Sequence, residues 1–320
     1  MKRIAVLASG GDAPGMNACI RAVVRSALHH GLSASGVLHG YRGLIEGEFR
    51  EFSTGDVSNI IQRGGSILFS ARSEAFQTVE GRAEAARNLR DRSIDGLIVI
   101  GGNGSFRGAD AIAREQGIAV VGVPATIDND VWGTDYTIGY DTAVNTALDS
   151  VDRIKDTAAS HERVFIVEVM GRSAGFIALE VGVGSGAEAI LLPETPTDVS
   201  ALAALITERI LNGRRSSIII CAEGDENGGA RAVASELKTV HGIDSQVTVL
   251  GHVQRGGSPT TSDRVLASKL GWAAVDALCS GAAPCMVGEV SRRIVRHPLA
   301  DSWTFVKEID TELVKLAPLI

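Results

Sequence analysis

Short apolar runs that end in glycine or polar residues, and that alternate with helix-like stretches, constrain the fold of this chain more than any other feature. The clearest runs cover residues 3–8, 94–100, 118–123, 164–169 and 217–222. Buried strands of parallel sheets show such continuous apolar runs, whereas surface helices carry apolar residues at every third or fourth position. The alternation therefore predicts an α/β protein with parallel sheets in both halves of the chain.

The composition suits that fold class and argues against several functions. Hydrophobic residues make up 45% of the 320 positions and aromatic residues only 4%, and this length allows two domains with cores of their own. The net charge of −7 argues against a general nucleic-acid surface and against an anionic-membrane surface. The cysteines have no C-x-x-C spacing, and the sequence shows no signal peptide or long apolar span. We therefore expect a cytoplasmic protein without zinc or dithiol chemistry.

Two glycine-rich segments follow predicted strands and open predicted helices. Residues 9–17 (SGGDAPGMN) lead into a helix over 18–29, and residues 101–108 (GGNGSFRG) lead into a helix over 109–115. A glycine turn at a helix N-terminus exposes backbone N–H groups and favours anion binding. Met16 stands where a Walker A loop needs lysine, and Arg107 stands where the dinucleotide pattern G-x-G-x-x-G needs glycine. The alternative is a pair of tight βα turns without a ligand.

A segment with two carboxylates, PATIDND over residues 124–130, follows the apolar run 118–123. Pro124 ends the strand, and ligands of open α/β sheets bind beyond the carboxyl ends of strands. If the segment is extended, Asp128 and Asp130 point to the same side and could act as a general base and as a neighbour of a metal ion. The alternative is an Asx-rich turn, in which Asp and Asn side chains bond their own backbone.

The second half places charged side chains at the termini of its predicted strands. These residues are Arg163, Arg172, Glu223, His252 and Arg255. Arginine binds phosphate through parallel hydrogen bonds, and a glutamate can accept from a sugar hydroxyl, so the group suits a phosphorylated ligand. Each of these residues taken alone is more often structural.

Five segments together resemble one family. They are residues 9–17 (SGGDAPGMN), 124–130 (PATIDND), 133–139 (GTDYTIG), 168–172 (EVMGR) and 250–259 (LGHVQRGGSP). In this order, and over nearly the whole chain, they resemble the bacterial ATP-dependent 6-phosphofructokinases. The resemblance implies two doubly wound, mostly parallel-sheet domains: a nucleotide-binding domain of residues 1–138 plus 251–301, and a sugar-phosphate-binding domain of residues 139–250 plus 302–320. It also implies a homotetramer that uses ATP and Mg²⁺, releases ADP, and phosphorylates the 1-hydroxyl of fructose 6-phosphate in glycolysis.

The same resemblance implies a role for each matching residue. The catalytic set would be the general base Asp128 with Thr126 and Arg172. The nucleotide would contact Gly11, Arg72, Ser73, Gly102, Asn103, Gly104 and Ser105. The sugar phosphate would contact Thr126, Ile127, Asp128, Arg163 of a neighbouring subunit, Met170, Gly171, Arg172, Glu223, Gln246, His252, Val253, Gln254 and Arg255. An allosteric nucleotide would contact Arg21, Arg25, Lys155, Gly186, Glu188, Arg214 and Arg215.

Four positions bear on the metal site and on the choice of phosphoryl donor. Asn103 stands where the resembled family has an aspartate near Mg²⁺, and Asp130 would reach the ion through water, so these two residues are the candidate metal site. Gly104 and Ala125 favour ATP over pyrophosphate, because the pyrophosphate-using relatives tend to carry aspartate and lysine at those positions.

Other positions depart from the family's pattern. Ser73 replaces an aromatic residue near the adenine, Gln246 replaces an arginine that reaches the 6-phosphate, and Thr54 and Lys155 replace arginines of the effector site. Together with Asn103, these changes leave two alternatives open. One is a catalytically impaired paralogue that binds sugar phosphate or nucleotide and regulates a partner. The other is a kinase of the same fold with another donor or acceptor.

Overall fold

The computed structural model describes residues 1–214, 216–225 and 228–319. The chain forms two compact units. Unit 1 contains Met1–Thr142 and Arg255–Lys307, and unit 2 contains Ala143–Gln254 and Glu308–Ile320. Over the residues described, no helix has the length and apolar character that crossing a bilayer requires.

The elements are numbered along the chain. The strands are β1 (Arg3–Ala8), β2 (Ser33–Val37), β3 (Phe49–Phe52), β4 (Gly96–Gly101), β5 (Ala119–Pro124), β6 (Val164–Val169), β7 (Ala189–Leu191), β8 (Ser217–Ala222), β9 (Ser245–Val249), β10 (Cys285–Val290) and β11 (Arg293–His297). The helices are α1 (Met16–His29), α2 (Gly40–Glu46), α3 (Val79–Asp91), α4 (Asn103–Gln116), α5 (Tyr140–His161), α6 (Phe176–Ser185), α7 (Val199–Leu211), α8 (Gly229–His241), α9 (Thr261–Cys279), α10 (Asp301–Thr304) and α11 (Thr311–Leu316). Short 3₁₀ helices cover Ala75–Gln77, Gly251–Arg255 and Ala317–Leu319.

Unit 1 is built on a sheet whose described strands number seven, in the order β11-β10-β5-β4-β1-β2-β3. Neighbouring strands are parallel, except that the edge strands β3 and β11 run antiparallel to β2 and β10. All residues of β4 are buried, which explains its uninterrupted apolar sequence. Leu97 and Val99 of β4 belong to the same core cluster as Phe106 of α4. The parallel order brings the carboxyl ends of β5, β4 and β1 next to one another.

Unit 2 contains a parallel sheet with the order β7-β8-β6-β9 in the described part of the chain. Strand β8 is buried along its whole length. Its Ile219 and Cys221 share a core cluster with Val233 and Leu237 of α8. The α/β class and the parallel sheets predicted for both halves are confirmed.

The helices after the two glycine turns begin earlier than the sequence pattern predicted. Helix α1 begins at Met16, because Gly15 takes the N-cap position with a left-handed φ of 107°. Helix α4 begins at Asn103 rather than at residue 109, because Gly102 supplies an extended N-cap and the next glycines continue the helix. Within α4, a Cβ atom at Gly108 would lie 3.1 Å from side-chain atoms of Phe76 and of Tyr41, so packing explains that glycine.

Candidate functional site

The loops that follow β1, β4 and β5 lie side by side at the carboxyl edge of the unit 1 sheet. Ser9 N donates to Ile100 O at 2.9 Å, and Ala125 N donates to Gly101 O at 2.9 Å, so the hydrogen-bond ladder continues into the loops. The two glycine turns and the segment 126–130 are therefore neighbours. This edge is where open α/β sheets bind their ligands.

A buried arginine packs against Gly11. A Cβ atom at Gly11 would lie 2.9 Å from Nη1 of Arg255, and the same nitrogen donates to Asp12 O at 3.2 Å. Nη2 of Arg255 lies 4.0 Å from Oδ1 of Asp128, and these two side chains are only 10% and 3% exposed. Unit 1 thus holds a guanidinium next to the carboxylate that the sequence predicts as the base.

The N-terminus of α4 forms the second glycine turn. Ser105 is buried, and its N donates to Gly102 O at 2.9 Å. A Cβ atom at Gly104 would meet no described atom within 4 Å, so packing of the described residues does not require glycine there. Open space beside the N-terminus of a 14-residue helix favours a bound anion.

Asp128 and Asp130 flank a turn rather than lying on an extended strand. Asn129 between them has a φ of 54°, in the left-handed region, so the alternation expected of an extended segment does not apply. Thr137 N donates to Oδ1 of Asn129 at 3.0 Å, and Asp128 N donates to Oγ1 of Thr126 at 3.2 Å. The Asn129 side chain thus bonds backbone six and eight residues on rather than its own turn, so these contacts are not an Asx turn. Asp128 is buried with only 2% of its surface exposed.

Asn103 and Asp130 form a polar pair that fits a loosely held metal ion. Nδ2 of Asn103 donates to the main-chain O and to Oδ2 of Asp130, both at 3.3 Å. Oδ1 of Asn103 is buried and has no hydrogen-bond partner among the described atoms. The described residues contain no group of three His, Cys, Asp or Glu side chains that could hold an ion. One carboxylate and one amide oxygen suit Mg²⁺, which keeps water and substrate phosphates as its other ligands.

The remaining unit 1 candidates differ in what their side chains do. Arg72 is exposed, whereas Ile127 is fully buried. Oγ of Ser73 accepts from Phe76 N at 3.3 Å, a local turn contact. Tyr41, which the sequence analysis did not select, donates to Ser105 O at 2.6 Å, and burial raises the pKa of its hydroxyl. Tyr41 therefore stays a hydrogen-bond donor that fixes the turn at α4.

Several unit 2 candidates meet at the carboxyl ends of the neighbouring strands β6 and β8. Arg172 has a φ of 55°, and its N donates to Oε1 of Glu223 at 2.7 Å. Met170 N donates to Oε1 of Gln254 at 3.3 Å. Gly171, which lies between Met170 and Arg172 in the sequence, has a φ of 140°. A positive φ carries no strain in glycine, but the left-handed Arg172 is strained in the way found at ligand sites.

Other unit 2 candidates lie elsewhere. Arg163 precedes β6, and Gln246 on β9 pairs with the second residue of β6, so both lie near the amino edge of the sheet. Both are exposed, as are His252 and Val253. Within unit 2, Arg163 and Gln246 are thus at the opposite end of the strands from Arg172.

Known proteins resemble this chain over most or all of its length. A family model described as phosphofructokinase matches residues 3–278. The chain belongs to the phosphofructokinase family. It is 54% identical over 320 residues to a Thermus thermophilus protein named ATP-dependent 6-phosphofructokinase 1, covering 100% of this chain and 99% of that protein.

Solved structures of phosphofructokinases share the fold. The chain matches phosphofructokinase from Saccharomyces cerevisiae with a TM-score of 0.87 and 37% identity, over 99% of this chain and 46% of that one. The chain therefore spans about half the length of the yeast chain. A pyrophosphate-dependent phosphofructokinase from Marinobacter aquaeolei gives a TM-score of 0.84 at 23% identity, over 98% of this chain and 86% of that one, which shows the fold alone.

The predicted effector residues of this phosphofructokinase occupy both units. In unit 1, Arg21 and Arg25 are one turn apart on α1, and the pKa of Arg21 is lowered by burial and then by the charge of Arg25. In unit 2, Nζ of Lys155 donates to Ser185 O, next to Gly186 with its φ of 60°.

The acidic member of that set is already paired within unit 2. Oε1 of Glu188 binds Nη2 of Arg209 at 2.7 Å, and its Oε2 accepts from Ile218 N at 2.5 Å. Arg214 is exposed, and Arg215 lies outside the described residues.

Proposed function

We propose that this member of the phosphofructokinase family transfers the γ-phosphoryl group of ATP to the 1-hydroxyl of fructose 6-phosphate, a step of glycolysis in the cytoplasm. The observation that carries the proposal is the buried Asp128 next to both glycine turns at one sheet edge. The name of the Thermus thermophilus relative, with its full-length match, supports the same reaction.

Asp128 accepts the proton of the 1-hydroxyl while the hydroxyl oxygen attacks the γ-phosphorus and ADP leaves. The hydroxyl of Thr126 holds the main-chain N of Asp128 at 3.2 Å and so orients the carboxylate. Phosphoryl transfer depends mainly on positioning and on neutralising charge. For this purpose we assign Arg172 to the transferring group and the residues Gly11, Arg72, Ser73, Gly102, Asn103, Gly104 and Ser105 to the nucleotide.

Mg²⁺ would be held by Asp130, directly or through water, and by the amide oxygen of Asn103. When bound, the ion neutralises charge on the phosphate oxygens. The 3.3 Å hydrogen bond from Nδ2 of Asn103 keeps the Asp130 carboxylate in place. The buried, unpartnered Oδ1 of Asn103 supports this assignment, since such an atom is stabilised by a ligand.

Asn103→Asp is expected to raise the apparent affinity for Mg²⁺ about tenfold or more, because it would bring a second carboxylate to the 3.3 Å contact with Asp130. Without Mg²⁺ the same variant is expected to unfold at a lower temperature, since two adjacent carboxylates repel each other. Mg²⁺ titration of the initial rate and thermal unfolding with and without the ion measure the two effects. Asn212→Asp, at the exposed end of α7, is the control for the Mg²⁺ titration. An Mg²⁺ dependence identical to that of the unmodified protein would contradict the assignment.

ATP rather than pyrophosphate is the donor that the nucleotide turn supports. Gly104 leaves open space beside the N-terminus of α4, which gives room for the α-phosphate. Ala125, with its small side chain, is buried at the end of β5. Because a pyrophosphate-dependent enzyme shares the fold, the proposal of ATP rests on these two positions.

We further propose that the sugar phosphate is bound by Ile127, Met170, Gly171, Arg172, Glu223, His252, Val253, Gln254 and Arg255, and that the protein is a homotetramer. The exposed Arg163 and Gln246, near the amino edge of the unit 2 sheet, support a role in the site of a neighbouring copy. Residues 1–138 plus 251–301 would form the nucleotide-binding domain, which also supplies Ile127 and residues 252–255 to the sugar phosphate, and residues 139–250 plus 302–320 would form the sugar-phosphate-binding domain. Arg21, Arg25, Lys155, Gly186, Glu188, Arg214 and Arg215 would bind an anionic effector.

A coupled assay for fructose 1,6-bisphosphate tests the reaction. It supplies Mg²⁺ and fructose 6-phosphate, with ATP or pyrophosphate as the only donor. ATP-dependent product supports the proposed kinase and shows that Asn103 is tolerated. Absence of product from a folded protein that still binds ATP would favour the regulatory paralogue. Product with pyrophosphate alone, or with another sugar phosphate alone, would favour a kinase of different specificity.

A further inference from the structure

Lys307, the last residue of unit 1 in the sequence, contacts the turn that contains Asp128. Its Nζ donates to Oδ1 of Asn129 at 2.9 Å and to the main-chain O of Asp135 at 2.7 Å. The residue is partly buried, and it lies 178 positions from Asn129 in the sequence. An ammonium group has three donors, and Lys307 donates to both Asn129 and Asp135 of this one loop.

The contact with Lys307 completes the hydrogen bonding of the Asn129 amide oxygen. Thr137 N at 3.0 Å and Lys307 Nζ at 2.9 Å supply two donors for its two lone pairs. Oγ1 of Thr137 lies 3.3 Å from the same oxygen but 2.6 Å from Thr126 O, so its single proton goes to Thr126. Because Asn129 is only 4% exposed, water does not readily replace the lysine.

The amide of Asn129 matters because of where this residue lies. Its φ of 54° is a left-handed conformation, which persists in a non-glycine residue when its surroundings hold it there. Asn129 separates Asp128 from Asp130, so its backbone conformation sets the directions of both carboxylates. Whatever fixes the Asn129 side chain therefore also fixes the geometry of the two acids.

The segment that carries Lys307 is packed against the same loop. The ring of Phe305 lies 4.9 Å from that of Trp132, and the ring of His297 at the end of β11 also lies 4.9 Å from Trp132, measured between ring centroids. Trp132 follows directly after the two acids and Val131. Lys307 thus extends from an anchored segment.

We propose that Lys307 is a positioning residue for phosphoryl transfer. By holding the amide of Asn129, it fixes the turn that directs Asp128 toward the sugar hydroxyl and Asp130 toward the metal-binding position. It acts through Asn129 and not by touching substrate. The inference rests on the proposed function, because it takes the roles of Asp128 and Asp130 from that function.

Lys307→Met removes the donors and the charge but keeps an unbranched apolar side chain. We expect kcat and the single-turnover rate to fall about 10- to 100-fold, while the KM values for fructose 6-phosphate and ATP stay within about threefold. Lys315→Met, at an exposed lysine of α11, is the control for loss of charge and should keep the unmodified rate. Methylammonium should restore part of the rate of Lys307→Ala, whereas tetramethylammonium, which has no N–H donor, should not.

A normal rate in Lys307→Met, or a raised KM with an unchanged rate, would overturn the positioning role. A rate loss that only follows a smaller folded fraction, and that methylammonium does not rescue, would overturn it as well. One readout needs no activity: the Thr137 amide, which donates to Asn129, should exchange its hydrogen about tenfold faster or more in Lys307→Met. If the unmodified protein transfers no phosphoryl group, the proposed function fails whatever the exchange shows. Normal activity with unchanged exchange and rate in Lys307→Met refutes the positioning role alone.

Discussion

Replacing Asp128 with asparagine is expected to lower kcat by about 10²- to 10⁴-fold, the usual contribution of a general base. Asp128 is only 2% exposed, and the amide has nearly the same shape as the carboxylate. The packing around this residue should therefore be kept. In the proposed mechanism, what is lost is the ability to accept the proton of the 1-hydroxyl. The dissociation constant for fructose 6-phosphate should therefore change by less than about threefold. Steady-state kinetics and calorimetric titration measure the two quantities.

The matched control is Asp149→Asn, which changes an aspartate on the exposed surface of α5 that pairs with Arg153. It should leave kcat unchanged, because a surface ion pair contributes little to stability and this one touches no candidate residue. A variant at Asp128 with near-normal turnover would remove the base from the mechanism. Loss of sugar-phosphate binding together with turnover would instead make Asp128 a binding residue.

Arg255→Met is expected to lower kcat/KM for fructose 6-phosphate by about 10²- to 10³-fold. The guanidinium is 10% exposed and lies 4.0 Å from the Asp128 carboxylate, so its removal takes away the buried positive charge beside that acid. It also removes the donor that we assign to the sugar phosphate, and hydrogen bonds to charged groups are among the stronger ones. Measurement of kcat and KM at saturating ATP gives the size of the effect.

Two further variants make the Arg255 result specific. Arg255→Lys keeps the charge but not the planar fork, and it should recover only part of the loss. Arg153→Met removes an arginine whose side chain is 78% exposed, and it should behave like the unmodified protein. If Arg255→Lys matches the unmodified protein, charge alone explains the residue. If Arg255→Met retains full kcat/KM, the residue has no part in the reaction.

The sequence predicted the fold where the signal was local. A parallel strand that is buried on both faces, such as β4, needs apolar residues at successive positions, and such a run is visible in the sequence. The glycine turns could also be predicted, because a few neighbouring residues are enough to indicate the N-terminus of a helix. Helix α4 begins before its predicted start because Gly104 and Gly108 lie within the helix, although glycine is more typical of loops.

The candidate site was predictable in its loops but not in its internal contacts. Asp128 and Asp130 stand out in sequence, yet their relative direction depends on the left-handed φ of Asn129, which no periodicity reveals. Arg255 lies close to Asp12 and Asp128 only in the folded chain, since Arg255 and Asp12 are 243 positions apart in the sequence. Lys307 carried no sequence signal at all, because a lone lysine near the end of a chain is most often a solvated surface residue.

The discontinuous make-up of unit 1 has a consequence for how the protein is made on the ribosome. Strand β5 is an inner strand of the finished sheet, but its neighbour β10 begins only at Cys285. While the chain is being synthesised from its N-terminus, β5 is therefore an exposed edge, open to pairing with other nascent chains, throughout the synthesis of residues 143–254 of unit 2. Arg255 and Lys307 are also synthesised after that stretch, so their contacts with the turn of Asp128 and Asn129 can form only once residue 307 has been made.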